Sequence, residues 1–181
     1  MRTRASLIGA GLLALAGCGN DGSAEPAAVP PPTTVNMPAA SAGGACELLD
    51  FASAAKAVGV SFDVSGATEV NGTQSCVLRS QQAQAPDLTL SISKTKADVA
   101  IFKQEAVPRG GTSLSGLGRA AYRSVSAPAK GKAATAEVGW LSKDGRLVTV
   151  RYSGAPEDDQ DSAEELVPGL VELAKKIDSR H

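Results

Sequence analysis

Apolar and polar positions alternate along several short segments of the chain, which is the pattern of half-buried β-strands. The clearest segment is Leu88-Thr-Leu-Ser-Ile-Ser93, where the alternation is strict. Two other segments are each divided by turn residues, Asn71-Gly72 and Lys143-Asp-Gly145, and such sequences favour tight hairpin turns. The pattern therefore predicts strands over 67–70, 73–79, 88–93, 120–125, 137–142 and 146–152.

Two segments carry the signals of a helix start before an apolar run. Asp50 is predicted to be the N-cap of a short helix over 51–58. Gly59, which follows this segment directly, is its stop signal. Thr95 and Asp98 have the spacing of a capping box with aspartate in the acidic position. This pair predicts a second helix that continues to about Ala106.

The last amphipathic segment begins at Ser162-Ala-Glu-Glu165, which has the spacing of another capping box. One face of the predicted helix carries apolar residues at helical spacing: Leu166, Leu170, Leu173 and Ile177. Pro168 is expected to kink this helix or shorten its start. The order of helix, three strands, helix, three strands and helix predicts an α+β fold. We expect an antiparallel sheet of about five to six strands with helices packed on one face.

The N-terminal residues have the pattern of a bacterial lipoprotein signal. A short basic start precedes an apolar run over 5–16, which is shorter than the roughly 20 residues that a membrane-spanning helix needs. The run ends in Leu15-Ala-Gly-Cys18, which resembles a lipobox. We expect residues 1–17 to be removed and Cys18 to be lipidated, which would anchor the protein at the extracytoplasmic face of the cell membrane. The alternative is an ordinary secretory signal with a chance cysteine.

Composition divides the mature chain into a tether and a domain. Residues 18–44 are rich in Ala, Pro, Ser, Thr and Gly and have almost no large apolar residues. Such a segment cannot bury enough apolar surface to offset the entropy of ordering, so a disordered or polyproline tether is predicted. Residues 45–181 have the length and the aliphatic content of one folded domain.

The two remaining cysteines, Cys46 and Cys76, form an even pair in a compartment that is expected to be oxidising. A structural disulfide is therefore predicted. The alternative is a reactive thiol pair, which usually has the Cys-x-x-Cys spacing that is absent here.

Four motifs of the domain follow one another in a recognisable order. They are Cys46-Glu-Leu-Leu49, Cys76-Val-Leu78, Gly116-Leu-Gly118-Arg-Ala-Ala-Tyr122 and the hairpin over 140–150, which leads to the last helix. This arrangement resembles a family of secreted actinobacterial lipoproteins with one small domain of unknown function, and it covers most of residues 45–181. The resemblance implies a location and a type of fold, and it supplies no catalytic residues.

Candidate chemistry is sparse. The one histidine, His181, is the last residue, so a Ser-His-Asp triad cannot be formed within the domain. The acidic stretch over 157–165 leaves open a Ca²⁺ site, although it lacks the spacing of a known calcium loop, and a solvated loop is the simpler interpretation. We therefore predict a protein that is not an enzyme and has no cofactor or metal.

Charge is distributed unevenly along a chain whose net charge is −1, a value that argues against a nucleic-acid partner. Residues 94–151 hold eleven Lys and Arg against four Asp and Glu, a net of +7. This excess indicates a candidate basic patch, formed by Arg119, Arg123, Lys143, Arg146 and Arg151, and the alternative is a solvated charged face without a partner. If the acidic stretch folds over these residues, the two regions neutralise each other.

The function predicted from these features is a non-catalytic binding module of the cell envelope. Its partner would be an envelope protein, an anionic lipid or a wall polymer. The alternative is a carrier of an apolar or lipid ligand in a cavity between the sheet and the helices.

Overall fold

The segments with alternating side chains form one antiparallel sheet. In the computed structural model of the protein, which describes residues 37–180, the strands are β1 Val64–Val70, β2 Thr73–Ser80, β3 Ala83–Lys94, β4 Thr112–Leu114, β5 Ala120–Ser126, β6 Thr135–Leu141 and β7 Arg146–Ser153. Their order across the sheet is β1-β2-β3-β7-β6-β5-β4. The α+β prediction is confirmed, but the sheet has seven strands instead of five to six. The additional strand is β4, whose three residues are too few to show an alternating pattern.

The helices are short and lie before, between and after two groups of strands, β1–β3 and β4–β7. They are α1 Phe51–Val58, α2 Val99–Ile101, α3 Gln160–Glu165 and α4 Val167–Asp178, with 3-10 turns at Ala39–Ala42 and Gly44–Leu48 and a π turn at Phe102–Ala106. Pro168 lies in the first turn of α4, where the chain divides α3 from α4, as its missing N–H predicts. The first 3-10 turn falls within the predicted tether. Ala39 is buried and its carbonyl accepts a hydrogen bond from Ser65 Oγ, so the folded part extends further toward the N-terminus than residue 45.

The helices found near the three predicted starts each have an aspartate as N-cap. The prediction for Asp50 is confirmed, because its carboxylate accepts a hydrogen bond from the Ser53 backbone N–H over 2.7 Å. The other two predicted capping boxes are wrong in register. Helix α2 begins after Asp98 and α3 begins after Asp159, because these side chains accept from the N–H three residues ahead. A carboxylate at the N-cap also meets the positive end of the helix dipole.

The hairpin predictions are confirmed. Asn71 and Gly72 join β1 to β2 with φ values of 51° and 76°, the left-handed conformation that a two-residue turn of this type requires. The turn at 143–145 joins β6 to β7.

Alternation along the strands gives the sheet two different faces. We call the face with the main core the helical face; one row across it consists of Cys76, Leu90, Val150 and Val138. Helices α1 and α4 pack against this face, and Trp140 lies between the sheet and α4 with no exposed surface. We call the other face the open face.

Segment 99–106 packs on the open face and not beside α1 and α4. Phe102 contacts Tyr122 with ring centroids 5.9 Å apart, and both side chains are buried with Leu141. Tyr122 and its neighbour Ala121 point to opposite faces because side chains alternate along β5. The prediction that the helices lie on one face is therefore wrong for this segment, since its apolar spacing did not indicate which face it would cover.

Candidate functional site: the open face of the sheet

Several of the predicted features fall outside the described residues. Cys18, the signal peptide over 1–17, most of the tether and His181 all lie outside residues 37–180, so lipidation and membrane anchoring stay predictions. Within residues 37–180, no helix is long and apolar enough to cross a membrane.

The predicted disulfide between Cys46 and Cys76 is confirmed. Their Cα atoms are 4.9 Å apart, and both residues are completely buried. The bond connects the 3-10 turn at Gly44–Leu48 to β2 at the edge of the main core. Because no solvent reaches either sulfur, the position favours a structural bridge over a reactive pair.

Three of the five candidate basic residues form ion pairs within the domain. Arg123 Nη1 lies 3.3 Å from Glu164 Oε1 on α3, and its Nε donates a hydrogen bond to Thr112 Oγ1. In the same way, Arg151 pairs with Glu137 over 2.9 Å and Arg146 pairs with Asp144 over 2.7 Å.

The five candidates do not lie on one surface. Arg123 continues the row of the helical face, whereas Arg151 lies on the open face. The exposed residues Arg119 and Lys143 belong to neighbouring segments. The Arg119 N–H donates a hydrogen bond over 2.7 Å to the carbonyl of Leu141, which is two residues before Lys143. Neither of these two side chains forms an ion pair within residues 37–180. The described geometry therefore divides the sequence-predicted patch into separate groups.

Lys143 lines a polar cleft of about 380 Å³ at the end of the sheet, beside the last turn of α4. The cleft also contains Lys175, Asp144 and Asp178. Its charges are mixed, because these two aspartates accompany the two lysines, and Lys175 also pairs with Glu172 over 2.8 Å. Such a cleft offers no strong selection for an anion.

The acidic stretch is engaged by its own loop and by the sheet. Asp158 accepts hydrogen bonds from the Ala155 N–H and the Tyr152 hydroxyl, and Asp159 caps α3. Burial, together with the charge of Asp158, raises the pKa of Tyr152 to about 12, so this hydroxyl stays a donor. No group of three or more potential metal ligands occurs in the described part of the chain. The ion pair of Glu164 with Arg123 brings the acidic stretch into contact with one of the candidate basic residues.

The sequence pattern did not identify the most distinctive surface, which lies on the open face over β2, β3 and β7. We call it the hydroxyl face; its residues are Thr73, Ser75, Thr89, Ser91, Ser93 and Thr149, all of them half-buried. Ser75, Ser91 and Thr149 are direct neighbours across three strands, and the hydroxyl oxygens of Ser75 and Ser91 are 3.1 Å apart. The polar positions of the strand over 88–93 were the available signal for this surface.

A charged cluster borders the hydroxyl face. Arg151 lies directly across from Thr89, and Glu137 is paired with Arg151 on the next strand. The Tyr122 hydroxyl donates a hydrogen bond to Glu137 Oε1 over 2.6 Å. Burial, followed by this carboxylate, raises the pKa of Tyr122 far above its ordinary value, so the hydroxyl remains protonated. Glu137 is thus held in place by one cation and one neutral donor.

Gly139 separates the buried part of the open face from the hydroxyl face. It lies between Thr149 and Tyr122 in the same row, and a side chain at this position would overlap the Tyr122 ring. The ring can therefore lie flat over β6 and pack against Phe102. The aromatic cluster ends here and the polar surface begins.

No family model, curated protein or solved structure matches this chain. The resemblance to actinobacterial lipoproteins therefore stays a prediction, and the function has to be argued from the residues and their geometry.

Proposed function

We propose that the protein is a non-catalytic binding module of the cell envelope, anchored by lipid on Cys18, and that the hydroxyl face binds a wall polymer rich in hydroxyl groups. The observation that carries this proposal is the continuous row Ser75, Ser91 and Thr149 across three adjacent strands. Neighbouring strands of a sheet lie about 4.8 Å apart, so the row presents donors and acceptors at regular spacing.

The chemistry of this surface favours an extended ligand over a small one. Each serine or threonine hydroxyl can both donate and accept, as the hydroxyls of a glycan do. A hydrogen bond exchanged with water contributes only about 0.5–1.5 kcal/mol, so useful affinity requires several bonds at once. A polymer that follows the row can make them, and the ion pair of Arg151 with Glu137 offers stronger charge-assisted bonds at one end.

A neutral polymer fits the surface better than an anionic partner. The charges of Arg123, Arg146 and Arg151 are each matched by a carboxylate at 2.7–3.3 Å, which reduces the field that they project into solvent. An anionic lipid and an acidic envelope protein are accordingly outcomes to be distinguished by experiment.

The carrier of an apolar ligand is the second candidate. An open groove of about 420 Å³ between α1 and α4, lined in part by Ala57, Pro168 and Leu173, supports it. The groove lies on the outside of the two helices and not between them and the sheet. Between sheet and helices, large side chains such as Trp140 and Leu170 are fully buried and contribute to one core cluster, which gives this candidate less support.

The test is co-sedimentation of the full-length chain with insoluble wall polymer. Replacing Ser91 by Ala and Thr149 by Val removes two hydroxyls with little change in volume, and should weaken binding by roughly tenfold. The matched control replaces Ser61 and Ser115 by Ala, since both are exposed loop serines, and should bind as the unchanged chain does.

The salt dependence identifies the type of ligand. Binding through hydroxyls should change little with ionic strength, whereas binding to vesicles with anionic lipid should weaken steeply as salt rises. The proposal is wrong if the polymer is not bound, or if both double variants bind it equally.

A further inference from the structure

We propose that strand β1 pairs with β1 of a second copy of this chain, antiparallel and in a register centred on Ala67. This inference does not depend on the hydroxyl face or on its ligand. The two edges of the sheet differ: β4 has three residues, whereas β1 has seven and pairs with β2 without interruption from Val64 to Val70. Nearly every residue of β1 is exposed.

Free edge strands attract other strands because their outer N–H and C=O groups have no partner in the sheet, and proteins usually protect them. Lysine, proline, β-bulges and a covering loop are the common devices, and β1 has none of the first three. The turns over 39–48 do contact β1, but they lie against Ser65 and Ala67 on the helical face and not along the outer edge. Its one charged residue is Glu69. The strand is thus regular and nearly uncharged along its whole length.

Exposed apolar side chains collect at this edge. The large hydrophobic residues exposed in the described part of the chain are Met37, Val64, Val70 and Ile101. Val64 and Val70 stand at the two ends of β1, 38% and 60% exposed, and point to the same face of the sheet. Met37 precedes the turn whose Ala39 carbonyl accepts from Ser65, which places it near the same strand.

The sequence of β1 is complementary to itself when it is reversed about Ala67. Val64 then lies opposite Val70 of the second copy, and Ser65 lies opposite its Glu69. The two carboxylates do not oppose each other, and each exposed valine gains a β-branched partner across the strands, which is a favourable pair. A two-fold axis generates both contacts twice, as an isologous dimer requires.

Cysteine cross-linking tests the register directly. Val64→Cys and Val70→Cys variants of the full-length chain are purified separately in detergent, mixed and mildly oxidised. In the proposed register the two positions are about 5 Å apart across the strands, so the mixture should give a dimer linked between them. Each variant alone places its own cysteines about 20 Å apart and should give roughly tenfold less dimer.

A second variant controls for non-specific association. Ala67→Lys places two like charges at the axis and should prevent the Val64–Val70 cross-link, whereas Ser113→Lys, the same change on the opposite edge strand, should leave it intact. Intact Cys46–Cys76 linkage, read by peptide mass mapping, confirms that each variant is folded. The proposal is overturned if Val64→Cys cross-links alone, which indicates parallel pairing, or if the mixture stays monomeric.

Discussion

Trp140 on β6 and Asp178 near the end of α4 are joined by a hydrogen bond, in which the indole Nε1 donates to Oδ1 over 2.9 Å. The second carboxylate oxygen of Asp178 accepts from the Gly118 N–H over 3.3 Å. One aspartate thus connects the last helix, a central strand and the loop before β5. A buried Trp needs a partner for its N–H, and here that partner also positions α4.

Replacing Trp140 by Phe should lower the free energy of unfolding by roughly 2 kcal/mol, because the change removes the donor and leaves a void beside α4. Denaturant unfolding followed by circular dichroism measures the loss. Glu172→Gln, an exposed change on the same helix, should stay within about 0.5 kcal/mol of the unchanged protein. Equal stability of the two variants would show that the bond contributes nothing.

Gly169 allows α4 to approach the backbone of α1. A Cβ atom at this position would overlap the carbonyl group of Ala57, so Gly169→Ala should destabilise the fold by about 1–3 kcal/mol through displacement of the helices. Gly66→Ala is the matched control, since a Cβ there meets no atom within 4 Å. The comparison is made by thermal unfolding, and a larger loss at position 66 would contradict the packing argument.

The carboxylate of Asp50 should make stability depend on pH in the acidic range. Burial raises the pKa of Asp50, but hydrogen bonds from Ser53 and the charge of Lys176 outweigh it and lower the pKa to about 2. A group whose pKa is lowered by folding stabilises the protein above its ordinary pKa of 3.8 and loses that effect as the pH falls toward 2.

Unfolding measured between pH 5 and about 2 tests this expectation. Asp50→Asn should make stability less dependent on pH in that window, because asparagine still caps α1 but cannot be protonated there. The side chain is 43% exposed, so solvent screens the effect and the change should be modest. Identical pH profiles for both proteins would refute the role of Asp50.

Cys18→Ser should abolish lipidation and release the protein from membranes. Two or three acyl chains hold a protein stably at a bilayer, and serine offers no thiol to acylate. Fractionation of producing cells, with mass spectrometry of the N-terminal peptide, provides the measurement. If the variant remains with the membrane fraction, the predicted anchor is wrong.

Local signals predicted the elements well because they depend on few neighbouring residues. Asn71-Gly72 determined a turn by its own backbone preferences, and Asp50 determined a cap by one hydrogen bond. Thr95 and Ser162 were assigned as caps because serine or threonine and aspartate can all fill that role. In the structure an aspartate takes that role instead: Asp98, three residues after Thr95, and Asp159, three residues before Ser162.

The surface was harder to predict because it depends on register between distant segments. Ser91 and Thr149 become neighbours only through the pairing of β3 with β7, and Arg151 meets Glu137 only through that of β6 with β7. Alternation shows which positions share a face of one strand, but it does not show which strand lies beside it. The basic patch failed to form one surface for the same reason, since Arg123 and Arg151 point to opposite faces.

The order of the strands also has a consequence for how the chain reaches this structure. Within residues 37–180, β3 with β7 is the one pairing in the sheet that does not join successive strands. The sheet therefore consists of two meanders, β1–β3 and β4–β7, which can each assemble from contacts close in sequence. Pairing β3 with β7 closes a long loop. The entropic cost of that closure comes before the stabilisation that the shared core provides. The rate of folding should accordingly be governed by the β3–β7 pairing and be most sensitive to substitutions along these two strands.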